Sequence, residues 1–247
     1  LNSMLGYERA IVSETPGTTR DAVDSLLSLD GHPVLLIDTA GIRRRGHVEP
    51  GIERYSVLRA VRAIDRADVV LLILDASELV TAQDTHIVGM VLESYRGLVF
   101  VVNKWDLSQG ADLHQEEVTL EIRRRFRFIP HAPVCFTSAL YGKGVSDLFA
   151  VAQQVYDEWT KLVPQAELKR VVTSAIAAHL PPTSGRQSLR IYKVVQESVG
   201  PPTFAFYVNR PDLVHFSYRR YLENVLHRAF GFQGVHLRLA FKGRGER

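Results

Sequence analysis

Asn103-Lys104-Trp105-Asp106 follows an unbroken run of β-forming apolar residues, Leu98-Val99-Phe100-Val101-Val102, which places these four positions at the carboxyl end of a buried strand. Open α/β sheets bind their ligands at that end. A carboxylate at Asp106 can accept hydrogen bonds from both the ring N–H and the exocyclic amine of guanine, a donor pair that adenine lacks. Asn103 can tie neighbouring loops together, and the aliphatic stem of Lys104 can lie along a flat base. By itself the tetrapeptide reads equally well as a polar turn after a strand.

Three other segments change that balance. Val34-Leu35-Leu36-Ile37 runs into Asp38-Thr39-Ala40-Gly41, where Asp38 can hold the water shell of Mg²⁺ and the Gly41 N–H can approach a terminal phosphate with no Cβ in the way. Pro133-Val134-Cys135-Phe136 runs into Thr137-Ser138-Ala139-Leu140, whose backbone can close over a base. Pro16-Gly17-Thr18-Thr19-Arg20-Asp21 offers a hydroxyl to a metal. Four such segments in this order predict a guanine-nucleotide-binding domain of the translation-factor-like GTPase type. The phosphate-binding pattern G-x-x-x-x-G-K-[ST] occurs nowhere in the 247 residues, and Leu1-Asn2-Ser3-Met4-Leu5-Gly6 reads as the remainder of the helix that follows such a loop. The expectation is a domain cut at its amino end, without its first strand, phosphate loop and first helical turn. Such a chain should bind GTP weakly and leave strand edges unpaired.

The elements that would carry these segments alternate. Ser25 to Leu29 and Pro33 to Ile37 flank Asp30-Gly31 as a hairpin. A loop (Ile42 to Gly51), a helix (Ile52 to Ala67), a strand (Val69 to Leu74), a helix (Ala82 to Ser94) and the strand before Asn103 follow. A charged helix (Asp112 to Phe126), the strand at Val134 and a helix (Val145 to Lys161) complete an α/β order with a parallel sheet. The domain boundary is expected near Leu162-Val163-Pro164-Gln165, giving domains 1–164 and 165–247.

The second stretch has a different pattern and charge. It carries 13 Lys or Arg against 5 Asp or Glu, whereas residues 1–164 carry 17 against 22. This asymmetry fits either a polyanionic partner or a solvated basic surface. Leu168, Val171, Val172, Ala175, Ile176, His179 and Leu180 predict a helix over 166–180, with His179 a packed or boundary residue rather than a ligand. Strands at Leu189 to Val195 and Thr203 to Val208 precede a helix with Tyr218, Tyr221, Leu222, Val225, Leu226 and Ala229 inward and Arg220, Asn224, His227 and Arg228 outward. A final strand alternates Val235, Leu237, Leu239 and Phe241 with polar residues, completing a compact αββαβ module. Gly231-Phe232-Gln233-Gly234 has the spelling of an RNA-clamping GXXG loop, but it joins a helix to a strand, so a helix cap and turn is the expected role. The lone Cys135 excludes an intrachain disulfide, and the longest apolar runs are strand-length, excluding a membrane span. No signal peptide is visible, and a cytoplasmic monomer is expected.

Asp38-Thr39-Ala40-Gly41-Ile42-Arg43-Arg44-Arg45-Gly46, Asn103-Lys104-Trp105-Asp106 and Ser217-Tyr218-Arg219-Arg220-Tyr221-Leu222 together closely resemble the bacterial ribosome-assembly GTPase family EngA, also called Der. That family carries two tandem GTPase domains and a KH-like domain. The resemblance covers essentially the whole chain, from the first helix of the second GTPase domain onward. It implies a P-loop-NTPase-type G domain followed by an α+β KH-like domain, with GTP or GDP and Mg²⁺ as cofactors and the large ribosomal subunit and its rRNA as partners.

By the same resemblance Thr19 would be the Mg²⁺-contacting switch residue. Ser13, Thr15 and Thr18 would lie in a loop that closes over the phosphates in potassium-stimulated relatives, making K⁺ a further candidate cofactor. Asp38 would hold the metal's water shell, with Thr39, Ala40 and Ile42 beside the nucleotide and Gly41 sensing the γ-phosphate. Asn103, Lys104, Trp105 and Asp106 would read guanine, and Ser138 and Ala139 would cover it. Ile42 stands where Ras-type enzymes have a water-orienting Gln, so hydrolysis should be slow alone and depend on an ordered loop, a monovalent cation or the ribosome. Arg43-Arg44-Arg45 reads either as an arginine finger or as solvated loop charge. The alternative function is a nucleotide-independent module for rRNA binding or domain interaction.

Overall fold

The computed structural model describes residues 2–5, 24–29, 32–37, 60–110, 113–181, 183–184 and 187–243. The chain divides into two compact units, Leu1–Gln153 and Gln154–Arg247.

The first unit opens with a helical turn, α1 (Asn2–Leu5), and an antiparallel hairpin of β1 (Asp24–Leu29) and β2 (His32–Ile37). Leu29 pairs with His32, which fits the expected two-residue connection; the turn residues themselves lie outside the described ones. A helix whose described part is 60–66, α2, holds Arg66 against Asp24 of β1 at 2.5 Å. Then come β3 (Val69–Asp75), α3 (Ala82–Glu93), β4 (Gly97–Asn103), α4 (Gln115–Arg125), β5 (Val134–Phe136) and α5 (Asp147–Trp159).

β4 is apolar on both faces, and only the middle of a sheet can bury both faces of a strand. It pairs in parallel with β3 on one side and β5 on the other, and its first six residues are buried. Leu98, Phe100 and Val102 meet Leu72 and Leu74 of β3, Ile87, Val88 and Val91 of α3, and Val118 and Ile122 of α4 in one core. Among the described residues β3 and β5 are the outer strands, with Ile73 of β3 53% exposed, and Leu26 and Leu35 of the hairpin are exposed opposite one another. α3 starts at a capping box, in which Thr81 Oγ1 accepts from the Asp84 N–H and the Asp84 carboxylate accepts from the Thr81 N–H. α4 begins at Gln115 rather than at the expected Asp112, and Trp105–Gly110 ahead of it folds as a 3₁₀ turn.

The second unit contains α6 (Gln165–Ala178), a short pair β6 (Thr183–Ser184) and β7 (Gln187–Ser188), then β8 (Ile191–Ser198), β9 (Thr203–Val208), α7 (Phe216–Phe230) and β10 (Arg238–Lys242). β9 is central, antiparallel to β8 and parallel to β10, and its Phe204, Phe206 and Val208 are fully buried. The unit begins inside α5, ahead of the expected boundary. The end of α5 serves the second unit's loops: Glu158 accepts from the Phe232 N–H, the Lys161 ammonium donates to the Phe230 carbonyl at 2.8 Å, and the Trp159 carbonyl accepts from the Gly200 N–H at 3.0 Å.

Two assignments on α7 differ from expectation. His227 is buried rather than outward, with Nδ1 3.1 Å from the Gly231 carbonyl and its ring edge-on to Phe232. Ala229 is exposed. The cause is the segment after the helix: Gly231, at φ 89°, turns the chain back and drives Phe232 into the core, which covers the last helical turn on the His227 side. The Gly231–Gly234 segment is thus a cap and turn leading to β10, and its buried Phe232 leaves no open clamp. β10 itself starts at Arg238, since Val235 and Leu237 are buried but precede the ladder.

The Ser217–Leu222 motif also gains a physical role. The Tyr218 hydroxyl donates to the His179 carbonyl at 3.1 Å, just past α6, and the Tyr221 hydroxyl donates at 2.9 Å to the Ala175 carbonyl, which also accepts from the His179 N–H. Burial, with the neighbouring Tyr221, pushes the Tyr218 pKa up to about 12. Tyr221→Phe should keep the packing and lose one such bond, costing about 1 kcal/mol. Amide hydrogen exchange in α6 of the full chain should quicken about fivefold. An unchanged rate would show that the hydroxyl does not hold the helix end.

Candidate functional site

The parallel register brings three strand ends level: Asp75 of β3 pairs with Asn103 of β4, and Val102 pairs with Phe136 of β5. The segments after these strands meet there. The Asn103 side-chain oxygen accepts from the Ala139 N–H at 3.0 Å and from the Thr137 hydroxyl at 3.3 Å, while its main-chain carbonyl accepts from the Ala76 N–H at 3.0 Å. The Thr137 carbonyl accepts from the Trp105 N–H at 3.0 Å, and the Trp105 ring packs edge-on to Phe136 at 4.5 Å. Asp106 lies across from Ser138, whose hydroxyl donates to Asp106 Oδ1 at 2.5 Å.

Backbone geometry fixes these loops further. Lys104 has φ 63°, a left-handed conformation that costs a non-glycine residue free energy and must be held by its surroundings. Its ammonium is held by Asp75 at 2.8 Å. Behind Ser138, Gly144 has φ 69°, and a Cβ there would sit 2.5 Å from the Phe136 carbonyl oxygen. Only glycine lets the loop fold back so that the Ser138 N–H reaches the Lys143 carbonyl at 3.0 Å.

Asn103, Lys104, Trp105, Asp106, Ser138 and Ala139 are therefore brought together, as the sequence expectation requires. One Asp106 oxygen is steadied by Ser138, and no described residue bonds the other, so the carboxylate keeps acceptor capacity toward a planar ligand with two adjacent N–H donors. Ser13, Thr15, Thr18, Thr19, Asp38, Thr39, Ala40, Gly41 and Ile42 lie outside the described residues, as does Arg43-Arg44-Arg45. Both residues assigned to Mg²⁺ are in that group, and the described residues contain no cluster of three His, Cys, Asp or Glu that could hold a metal ion. Among the described residues no helix is long and apolar enough to cross a membrane.

Residues 1–104 match the family described as 50S ribosome-binding GTPase, and residues 163–242 match the KH-domain-like C-terminal domain of EngA bacterial GTPases. The GTPase Der of Thermomicrobium roseum is 49% identical over 99% of this chain and 54% of its own length. That of Chloroflexus aggregans is 47% identical over 99% of this chain and 55% of its own length. The chain belongs to the Der family. It spans about half the length of the curated relatives it matches. Among solved structures, an Aquifex aeolicus Era bound to GDP and aluminium fluoride superposes with a TM-score of 0.53 at 19% identity, covering 98% of this chain and 88% of that chain. This likeness supports the fold: a G-domain-type parallel sheet followed by a KH-like unit.

In this Der-family chain the sequence reading misses Asp75. It ends a strand whose apolar run closes at Leu74, and its only sequence signal is a carboxylate at the end of a buried strand, the same signal that singles out Asp38. Its carboxylate accepts from the Ser77 N–H at 3.0 Å and hydroxyl at 2.7 Å and pairs with Lys104. Burial pushes its pKa up, but the Lys104 ammonium and the Ser77 hydrogen bonds outweigh burial and hold the carboxyl well below the usual range. The folded-state pKa is thus depressed, so the pair stabilises the fold above about pH 4 and fades as pH falls toward the folded-state value. Asp75→Asn should lower stability at neutral pH by up to about 1 kcal/mol, because Lys104 is half exposed. Thermal melts of wild type and variant should converge below about pH 4; a pH-independent difference would contradict this account of Lys104.

Proposed function

We propose that this chain is the guanine-reading GTPase unit and KH-like unit of a Der-family GTPase that binds GTP and GDP, hydrolyses GTP in the complete protein, and acts in assembly of the large ribosomal subunit. The observation that carries the reading is the Asn103–Ala139 and Asp106–Ser138 pairing, which aims a carboxylate into a cleft between three strand ends. Asp106 accepts the two N–H donors of guanine, the Lys104 stem and the Trp105 backbone lie along the base, and Ser138 and Ala139 cover it. Thr19 would contact Mg²⁺ and Asp38 would hold its water shell; when bound, the ion would offset phosphate charge. Thr39, Ala40, Gly41 and Ile42 would contact the γ-phosphate, and Ser13, Thr15 and Thr18 would respond to K⁺. With Ile42 in place of a water-orienting side chain, hydrolysis relies on that loop and on the ribosome.

The ribosomal part of the proposal is supported by the 50S-ribosome-binding description of the matched family, and by an Era structure in complex with MgGDPNP and a segment of 16S ribosomal RNA, which has the same fold. The basic second unit supplies the RNA contact. Arg220 and Arg228 stand exposed on one face of α7, whereas Lys193 lies over the Tyr207 ring and Arg219 over Phe241. A monomer in the cytoplasm remains the expected setting.

In a protein carrying the phosphate loop, Asp106→Asn should weaken GTP binding by about 2 to 3 kcal/mol and shift preference toward the xanthosine nucleotide. Titration calorimetry with both nucleotides checks this, and unchanged GTP affinity would remove Asp106 as the base reader. In the full chain, Arg220→Ala with Arg228→Ala should lower rRNA affinity and reduce the salt slope by about 0.7 log units for each phosphate no longer neutralised. Wild-type affinity and slope in that variant would assign the charge of α7 to solubility.

A further inference from the structure

The first unit is acidic, yet four arginines, Arg123, Arg124, Arg125 and Arg127, fall within five positions at the end of α4 and just past it. All four are exposed, and the Arg124 side chain is 80% open to solvent. Among the described residues a single carboxylate answers them: Glu121 reaches Arg125 at 2.9 Å and Arg124 at 3.8 Å, while Arg123 and Arg127 make no ion pair. Basic residues in a last turn complement the helix dipole. That accounts for three arginines, but Arg127 lies beyond the helix.

It also leaves Phe128 unexplained. This ring is 45% exposed beside the arginines, although Phe126 and Ile129 on either side are buried. Phe126 stacks on Phe100 of the central strand at 4.8 Å, and Phe128 packs edge-on to Phe126 at 5.9 Å. Phe128 is therefore tethered to the sheet by a short file of aromatic rings, so its outward position carries little rotational freedom. A fixed exposed ring amid solvent-open guanidinium groups is what unpaired bases and their phosphates recognise: the ring stacks a base and the arginines neutralise the backbone.

We infer that the Arg123–Phe128 segment at the end of α4 is a contact site for unpaired RNA, separate from the basic face of α7. The choice of RNA as the polyanion rests on the ribosomal reading above; the site itself rests on the ring and the arginines. The test uses the full 247-residue chain and a fluorescein-labelled oligouridine of about 16 nucleotides, followed by anisotropy between about 50 and 200 mM salt. Arg123→Ala, Arg124→Ala and Arg127→Ala combined should weaken binding and flatten the salt slope by about 2 log units per decade. Lysine at the same three positions should preserve most of the slope. Phe128→Ala should weaken binding severalfold with the slope unchanged, a signature that loss of charge cannot give.

The variant with α7 changes alone separates the two surfaces. If it abolishes binding while the α4 variants bind with wild-type affinity and slope, the α4 site is overturned and the ribosomal reading stands. If the α4 variants lose binding while the α7 variant does not, the α4 site stands and α7 loses its assigned role. Wild-type affinity in Phe128→Leu beside a weakened Phe128→Ala would overturn stacking, since leucine keeps the apolar bulk and lacks the π face. Far-ultraviolet circular dichroism and melting of each variant identify any that fail to fold; for these, Arg124→Glu alone supplies the charge test at a position 80% open to solvent.

Discussion

Asn103 is the residue on which the cleft depends, because it is bonded to the loops after both strands beside it. Its main-chain carbonyl accepts from Ala76, past β3, and its side-chain oxygen accepts from Ala139 and Thr137, past β5. A buried strand with no polar side chain at its end could position itself, but it could not fix the loops that leave its neighbours. Removing the carboxamide would strand partners in a partly buried place, at roughly 1 to 3 kcal/mol for a lost buried acceptor. The rigidity of the cleft thus follows from one side chain at the end of a strand that is buried on both faces.

The rest of the site inherits that geometry. With Ala139 held by Asn103, Ser138 is carried to Asp106, and the serine hydroxyl orients the carboxylate. With the Thr137 carbonyl bonded to the Trp105 N–H, the polypeptide between Asn103 and Asp106 turns through the left-handed Lys104, whose ammonium Asp75 then anchors. The strained residue is held on both sides, by the main-chain bonds and by the ion pair. Strain kept in place by its surroundings at the mouth of a cleft is a common feature of pre-organised ligand sites.

The arrangement at the three strand ends is legible in the sequence because each part obeys a short-range rule: an apolar run, then a polar residue at the strand end. Asn103, Asp106, Ser138 and Ala139 are found that way, and the central position of β4 follows from its lack of polar alternation. Asp75 obeys the same rule and is still missed, since its partner Lys104 is chosen across a parallel ladder and has no spacing in sequence. His227 is misplaced for a similar reason: helical periodicity puts it outward, and the turn-back at Gly231 that covers it is a tertiary event. The early start of the second unit inside α5 depends on Glu158, Lys161 and Trp159 serving loops far along the chain, which no local pattern announces. The phosphate-facing expectations, from Ser13 to Ile42, fall outside the described residues.

The central claim is that the three strand ends form a cleft selective for guanine before any phosphate is engaged. The direct measurement is a titration of the isotopically labelled full chain with millimolar GMP and, separately, AMP, followed through the amide resonances of Asp106, Ser138 and Ala139. The account predicts saturable shifts at these three residues with GMP and none with AMP. Equal shifts with both nucleotides, or none with GMP, would contradict it.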